Sequence, residues 1–244
     1  MKNKIKLSGL FIFIFGIFSF GFFTGCSEDS NPTNNIMPKD SYLRVIHSSA
    51  NAPNVDVYAN GTKVLSNVPY QTASSYLKVT EGTYNIKVTP VNDTTGVIVA
   101  SLNLVGDRKY TVVAPGSVTN LQNNVIVSLD TNSNTPSSGN FKLRAIHGFE
   151  TAAVDVHVSQ TNNFTPDAIT RVVPSFPFRG ITPYLELPVG TYYVNITLPG
   201  GTAKLLPSDF MLTGANGNIF TAVASGYNVS TPGSGPILDG YQDN

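Results

Sequence analysis

From Tyr42 onward, short apolar stretches alternate with clusters of Gly, Pro, Asn, Asp and Ser. None has a helical period. Several alternate apolar and polar side chains one by one, most cleanly Thr83-Tyr84-Asn85-Ile86-Lys87-Val88. A period of two marks a strand with one buried face. The pattern predicts strands over 42–47, 54–59, 63–67, 74–79, 83–89, 97–104, 109–114 and 124–129, and an all-β chain. Asn60-Gly61 is a two-residue hairpin signal, because a type I′ turn needs positive φ at both central positions. Glu81-Gly82 plays a similar part before the strand that follows it.

The pattern then returns. Leu43-Arg44-Val45-Ile46-His47, followed by Val55-Asp56-Val57, comes back as Leu143-Arg144-Ala145-Ile146-His147, followed by Val154-Asp155-Val156. Further matches are Tyr76-Leu77 with Tyr184-Leu185, Gly82-Thr83-Tyr84 with Gly190-Thr191-Tyr192, Tyr110-Thr111 with Phe220-Thr221, and Leu129-Asp130 with Leu238-Asp239. The second copy carries an insertion between Ser159 and Phe176. The expected organisation is repeat 1 over 42–130, a linker over 131–140 and repeat 2 over 141–240. The linker is polar, with Pro and Gly, and its composition predicts two domains with few contacts across it.

The amino-terminal segment has a different pattern. Lys2, Lys4 and Lys6 precede an almost uninterrupted apolar run from Leu7 to Phe23, which ends at Thr24-Gly25-Cys26. This resembles a bacterial lipoprotein signal peptide, with residues 1–25 removed and lipid attached to Cys26. The run is a little short for a spanning helix, which needs roughly 20 apolar residues. Ser27-Glu28-Asp29 resembles the short acidic export tag of Bacteroidetes surface lipoproteins. Residues 26–41 read as a tether too polar to bury a core. The expected location is the bacterial outer membrane or cell surface, with the membrane as a partner through the lipid on Cys26.

The stretch Leu43 to Gly61, with its later Gly82-Thr83-Tyr84 and Tyr110-Thr-Val-Val-Ala114 strands, resembles domain-of-unknown-function family 4397. His47, Ala52, Pro53, Val55, Asp56 and Val57 fit that family's motif. The second copy keeps His147, Val154, Asp155 and Val156, but loses the proline and one residue of the loop. The resemblance runs from Tyr42 to Asp239. It implies two tandem antiparallel β-sandwich domains of immunoglobulin or transthyretin type, and it implies no activity or cofactor.

Charge and candidate chemistry narrow the function classes. Lys+Arg and Asp+Glu both number 15 in 244 residues, so no electrostatic footprint for nucleic acid is present. Cys26 is the only cysteine, which excludes an intrachain disulfide. His47 with Asp56, duplicated as His147 with Asp155, suggests a metal site and a metal-dependent hydrolase. Zinc catalysis, however, needs three converging protein ligands with a fourth position open, and each copy shares only one His and one Asp. Ser48 and Ser49 beside His47 become Gly148 and Phe149 in the second copy, and no nucleophile elbow is present. The structural alternative places Arg44 opposite Asp56 on antiparallel strands joined by the Ser48–Pro53 loop, with Arg144 opposite Asp155 in the second copy. His47 then ends its strand on the face of Leu43 and Val45 and bonds backbone groups of the loop. For binding, the insertion offers Phe164, Arg171 and Arg179 on a loop. The expected role is a non-catalytic binding or scaffolding module for a glycan, cell-wall or protein ligand.

Overall fold

The computed structural model describes residues 37–130, 134–151, 153–162, 170–227 and 235–244. Residues from Met37 to the end form one compact unit. Each repeat builds two sheets, so the all-β tandem sandwich expected from the alternating pattern is the observed architecture.

In the first repeat the strands are β1 (Asp40–Ser48), β2 (Val55–Ala59), β3 (Thr62–Val68), β4 (Thr72–Ala73), β5 (Leu77–Thr80), β6 (Gly82–Pro90), β7 (Ile98–Leu104), β8 (Lys109–Pro115) and β9 (Ile126–Leu129). One sheet has β1 at its centre, flanked by β4 and β5 on one side and by β8 and then β9 on the other. The other sheet runs β3-β2-β6-β7. Asn60 and Gly61 turn between β2 and β3 with φ of 49° and 81°, the left-handed pair that a type I′ hairpin requires. The predicted strand at 74–79 is split into β4 and β5 around Ser74-Ser75-Tyr76. Ser74 Oγ accepts the Val45 N–H there, at 3.0 Å.

The second repeat follows the same plan. Its strands are β10 (Asn140–His147), β11 (Ala153–Ser159), β12 (Thr170–Pro177), β13 (Leu185–Pro188), β14 (Gly190–Thr197), β15 (Phe210–Gly214), β16 (Ile219–Ser225) and β17 (Ile237–Gln242). The sheets are β13-β10-β16-β17 and β12-β11-β14-β15. The pairs β1 with β8 and β10 with β16 are parallel, while the other pairs are antiparallel.

β1 and β2 therefore lie in different sheets. The expected Arg44–Asp56 and Arg144–Asp155 pairings do not exist. The loop after β1 carries the chain across the sandwich rather than back along the same sheet, so the first two strands face each other through the core. Leu43 and Val45 point into that core, against Leu104 and Val57 among others. The opposite face of β1 is buried as well. Ile46, Val113 and Ile126 of the first repeat pack against Ile146 and Val223 of the second. The central sheets of the two repeats thus stack on one another, and the expectation of few contacts across the linker is overturned.

Candidate functional site

The repeated Arg, His and Asp each hold a different part of this architecture. Arg44 stands on β1 beside Thr111 of β8, which stands beside Ser128 of β9. In the second repeat Arg144 stands beside Thr221, which stands beside Tyr241. These two rows meet at the contact between repeats. Arg44 pairs with Asp243 at 2.7 Å, and Arg144 pairs with Asp130 at 2.6 Å, so each arginine reaches the carboxylate of the other repeat. Both arginines are only 2% exposed. Thr111 Oγ1 donates to Asp130 at 2.8 Å and Thr221 Oγ1 donates to Asp243 at 2.7 Å. The threonine oxygens in turn accept from both guanidinium groups.

Two tyrosines complete the cluster. Tyr76 donates to Asp130 at 2.7 Å and lies under the Arg44 guanidinium, 4.9 Å from ring centre to Cζ. Tyr184 donates to Asp243 at 2.6 Å and lies under Arg144 at 4.7 Å. Burial, helped by the carboxylates, pushes both phenols well above their ordinary pKa. Two cations and two anions balance inside a desolvated interface, with hydroxyls filling the remaining bonding positions. Such a cluster is satisfied only when both repeats are present.

The structure also corrects the sequence match at the last strand. Asp130 N donates to Lys109 O and Asp243 N donates to Ile219 O, at equivalent places beside β8 and β16. Asp243 is therefore the counterpart of Asp130. Asp239, matched to it by sequence, instead receives Gln71 from the first repeat at 3.2 Å.

The aspartates of the motif serve the outer sheets. Against β2, β3 carries an extra residue between Val55↔Val68 and Val57↔Leu65, and against β11, β12 does the same between Val154↔Phe176 and Val156↔Val173. These are β-bulges. At each bulge a non-glycine residue takes positive φ, Asn67 at 54° and Ser175 at 45°. Asp56 Oδ1 accepts the Asn67 N–H at 2.9 Å, and Asp155 Oδ1 accepts the Ser175 N–H at 2.7 Å. The other oxygen of each carboxylate meets a cation on the bulged strand, Lys63 at 2.5 Å and Arg171 at 3.2 Å. The bonds from Lys63 and Asn67 hold the Asp56 carboxyl below the usual carboxylate range. At Asp155 burial pushes upward, but the N–H groups of Ser175 and Gly200 and the Arg171 side chain outweigh it, and the net shift is downward.

His47 and His147 of the motif lie at the ends of β1 and β10 and are buried. His47 Nε2 lies 3.2 Å from Pro53 O, and its Nδ1 accepts the Ser49 N–H at 3.4 Å. Those partners define a neutral ring with the proton on Nε2. His147 lies flat on Phe176, with ring centres 5.6 Å apart, and edge-on to Phe178. Burial pulls the pKa of both rings down. His47 and Asp56 sit in different sheets with separate partners, and among the described residues no group of three His, Cys, Asp or Glu side chains is placed to hold a metal ion.

Residues 41–157 match the family model described as a domain of unknown function, DUF4397. The DUF4397 match covers the whole first repeat and continues through Arg144, His147 and Asp155 of the second. No curated protein matches the sequence. Among solved structures the chain is similar to the Bacillus anthracis TIE protein, with 14% identity over 77% of this chain and 34% of that one, at a TM-score of 0.25. A leucine-rich repeat protein from Bacteroides thetaiotaomicron shows 16% identity over 78% of this chain and 26% of that one, at a TM-score of 0.20. The chain thus spans about a third or less of the length of these two. The minor pilin of Streptococcus agalactiae shows 12% identity over 79% of this chain and 98% of that one, at a TM-score of 0.27.

The remaining candidates divide. Cys26 and Phe164 lie outside the described residues. Arg171 is tied to Asp155, as above. Arg179 has a φ of 65°, and its Nη2 donates to Val125 O of the first repeat at 3.2 Å. Two residues proposed for a binding loop thus take part in internal contacts. Sequence reasoning overlooked Tyr76, Thr111, Asp130 and their counterparts as a cluster. The signal was present, since a threonine recurs inside the apolar strands Tyr110–Ala114 and Phe220–Ala224.

Proposed function

We propose that this is a lipid-anchored protein of the bacterial outer membrane or cell surface with a non-catalytic binding or scaffolding role. One observation supports it above the others: the repeated Arg and Asp are committed to internal ion pairs and backbone N–H groups, which are structural tasks. A repeated motif whose arginines hold the two sandwiches together and whose aspartates fasten the outer sheets suits a rigid platform that presents those sheets and loops. Cys26 supplies the anchor in this reading, and the segment between it and β1 lifts the platform from the membrane. The partner class is a glycan, a cell-wall polymer or another surface protein.

Metabolic labelling with an alkyne fatty acid, followed by fractionation, tests the anchor: the native chain takes label and the Cys26→Ser chain does not. A glycan and cell-wall binding screen on the chain from Ser27 onward tests the role. Stoichiometric metal in the purified protein, together with hydrolytic activity lost on chelation, overturns the non-catalytic reading.

A further inference from the structure

The two sandwiches differ in their interiors. The space between the sheets of the first repeat amounts to about 80 Å³, whereas that of the second is about 390 Å³. The difference follows from the strands. β7 turns Ile98, Ala100, Leu102 and Leu104 inward, and Leu121 plugs the same core. The shorter β15 turns in Phe210 and Leu212 and then reaches Gly214, against which the Phe141 ring is pressed. The larger cavity is lined by aliphatic side chains of both sheets, and it opens between the edge strands β12 and β13. There Val172 and Leu185 line it while remaining exposed. Apolar cavities of on the order of 150 Å³ already take up benzene, and this one has the size and lining of a small-molecule pocket.

One polar group in its wall is unaccounted for. Thr182 Oγ1 accepts the Ala145 N–H, Tyr184 donates to Asp243, and the Arg144 guanidinium is held at the contact between repeats. His147 is fully buried, and neither ring nitrogen makes a hydrogen bond of good geometry. The carbonyls of Phe176 and Pro177 only partly offset the effect of burial on its pKa. In the first repeat the loop carrying Pro53 satisfies His47; the second repeat lacks that proline and one loop residue. A buried polar group without a partner is unfavourable, and a neutral imidazole offers one donor and one acceptor.

We propose that the interior of the second repeat is a binding site for a single-chain amphiphile, its alkyl chain lying between the sheets and an uncharged hydroxyl or carbonyl end bonded to His147. The mouth between β12 and β13 admits the chain. Among the described residues no carboxylate or ammonium group lines the cavity, and its one cation, the Arg144 guanidinium, is already paired with Asp130. This site is independent of the anchor and of any recognition by surface loops.

The test uses the chain from Ser27 onward, which keeps every contact described, purified without detergent. N-phenyl-1-naphthylamine fluorescence should report one saturable site, and 1-dodecanol should displace the probe. Leu185→Glu, at the exposed mouth, should abolish uptake of both, while Leu77→Glu at the matching place in the first repeat should leave it unchanged. His147→Phe should weaken 1-dodecanol by about tenfold, the worth of one hydrogen bond, and leave the naphthylamine binding as it was. Absence of saturable binding, or binding indifferent to Leu185→Glu, overturns the site. Equal weakening of both probes by His147→Phe, in a variant with unchanged circular dichroism, overturns the assignment of the polar end.

Discussion

Arg44 of the first repeat and Asp243 of the second lie 2.7 Å apart, both buried, although almost the whole folded chain separates them in sequence. The mirrored pair, Arg144 with Asp130, shares the same two threonines. Two sandwiches built on the same plan here form a single structure whose halves neutralise each other's charges.

Removing one member of this cluster should be far more costly than removing both. Arg44→Ala leaves Asp243 buried without its cation, which costs about 3–5 kcal/mol. Urea unfolding of Arg44→Ala, Asp243→Ala and the double variant should show strong coupling between the two sites. The same cycle run on Arg44 and Asp56 should show additive effects, since those residues have separate partners.

Unfolding should be one transition. Separating the repeats exposes Ile46, Val113 and Ile126 on one side and Ile146 and Val223 on the other, and leaves four charges unpaired. Calorimetry should record a single cooperative peak. Protease cleavage within 131–140 should leave two fragments that stay together on a sizing column. Two independent peaks, or fragments that separate, would contradict the shared interface.

Stability should fall as the pH drops through the histidine range. Burial depresses the folded pKa of His47 and His147 below the ordinary value of 6.5. The unfolded chain therefore binds protons first, and stability is lost from about pH 6.5 down through the folded pKa values. His147→Phe should flatten part of that slope, as followed by the urea midpoint between neutral and mildly acidic pH.

A second acid-sensitive step should appear lower. The Asp56 and Asp155 carboxyls are held below 3.8 in the folded protein. Their contribution is present above the unfolded pKa and is lost as pH falls through the folded one. Asp155→Ala should remove part of this step and, because the bulge at Ser175 loses its acceptor, raise hydrogen exchange at the Ser175 amide.

Packing at Gly214 should tolerate nothing larger. A Cβ there would run into the Phe141 ring, and Phe141 is fully buried. Gly214→Ala should destabilise the protein by about 1–3 kcal/mol, the usual penalty of overpacking, measurable as a lower thermal midpoint.

Much of this architecture follows from local sequence alone. The period-two pattern of Thr83–Val88 and the Asn60-Gly61 turn determine strands and a hairpin, because side-chain alternation and positive φ are properties of a few adjacent residues. The recurrence of the motif, too, is legible in the chain, and it singles out Arg44, His47 and Asp56. Their partners are not legible. An antiparallel register between neighbouring strands pairs Arg44 with Asp56, yet strand order is decided by which faces must be buried, and here both faces of β1 are. Only the stacking of two sheets from different repeats brings Asp243 to Arg44. The same packing leaves Asp56 to fasten a bulge, and the shorter β15 leaves the second interior open. Local pattern determines which residues form strands, whereas the burial of both faces of the central sheets, a property of the whole chain, decides what each strand meets.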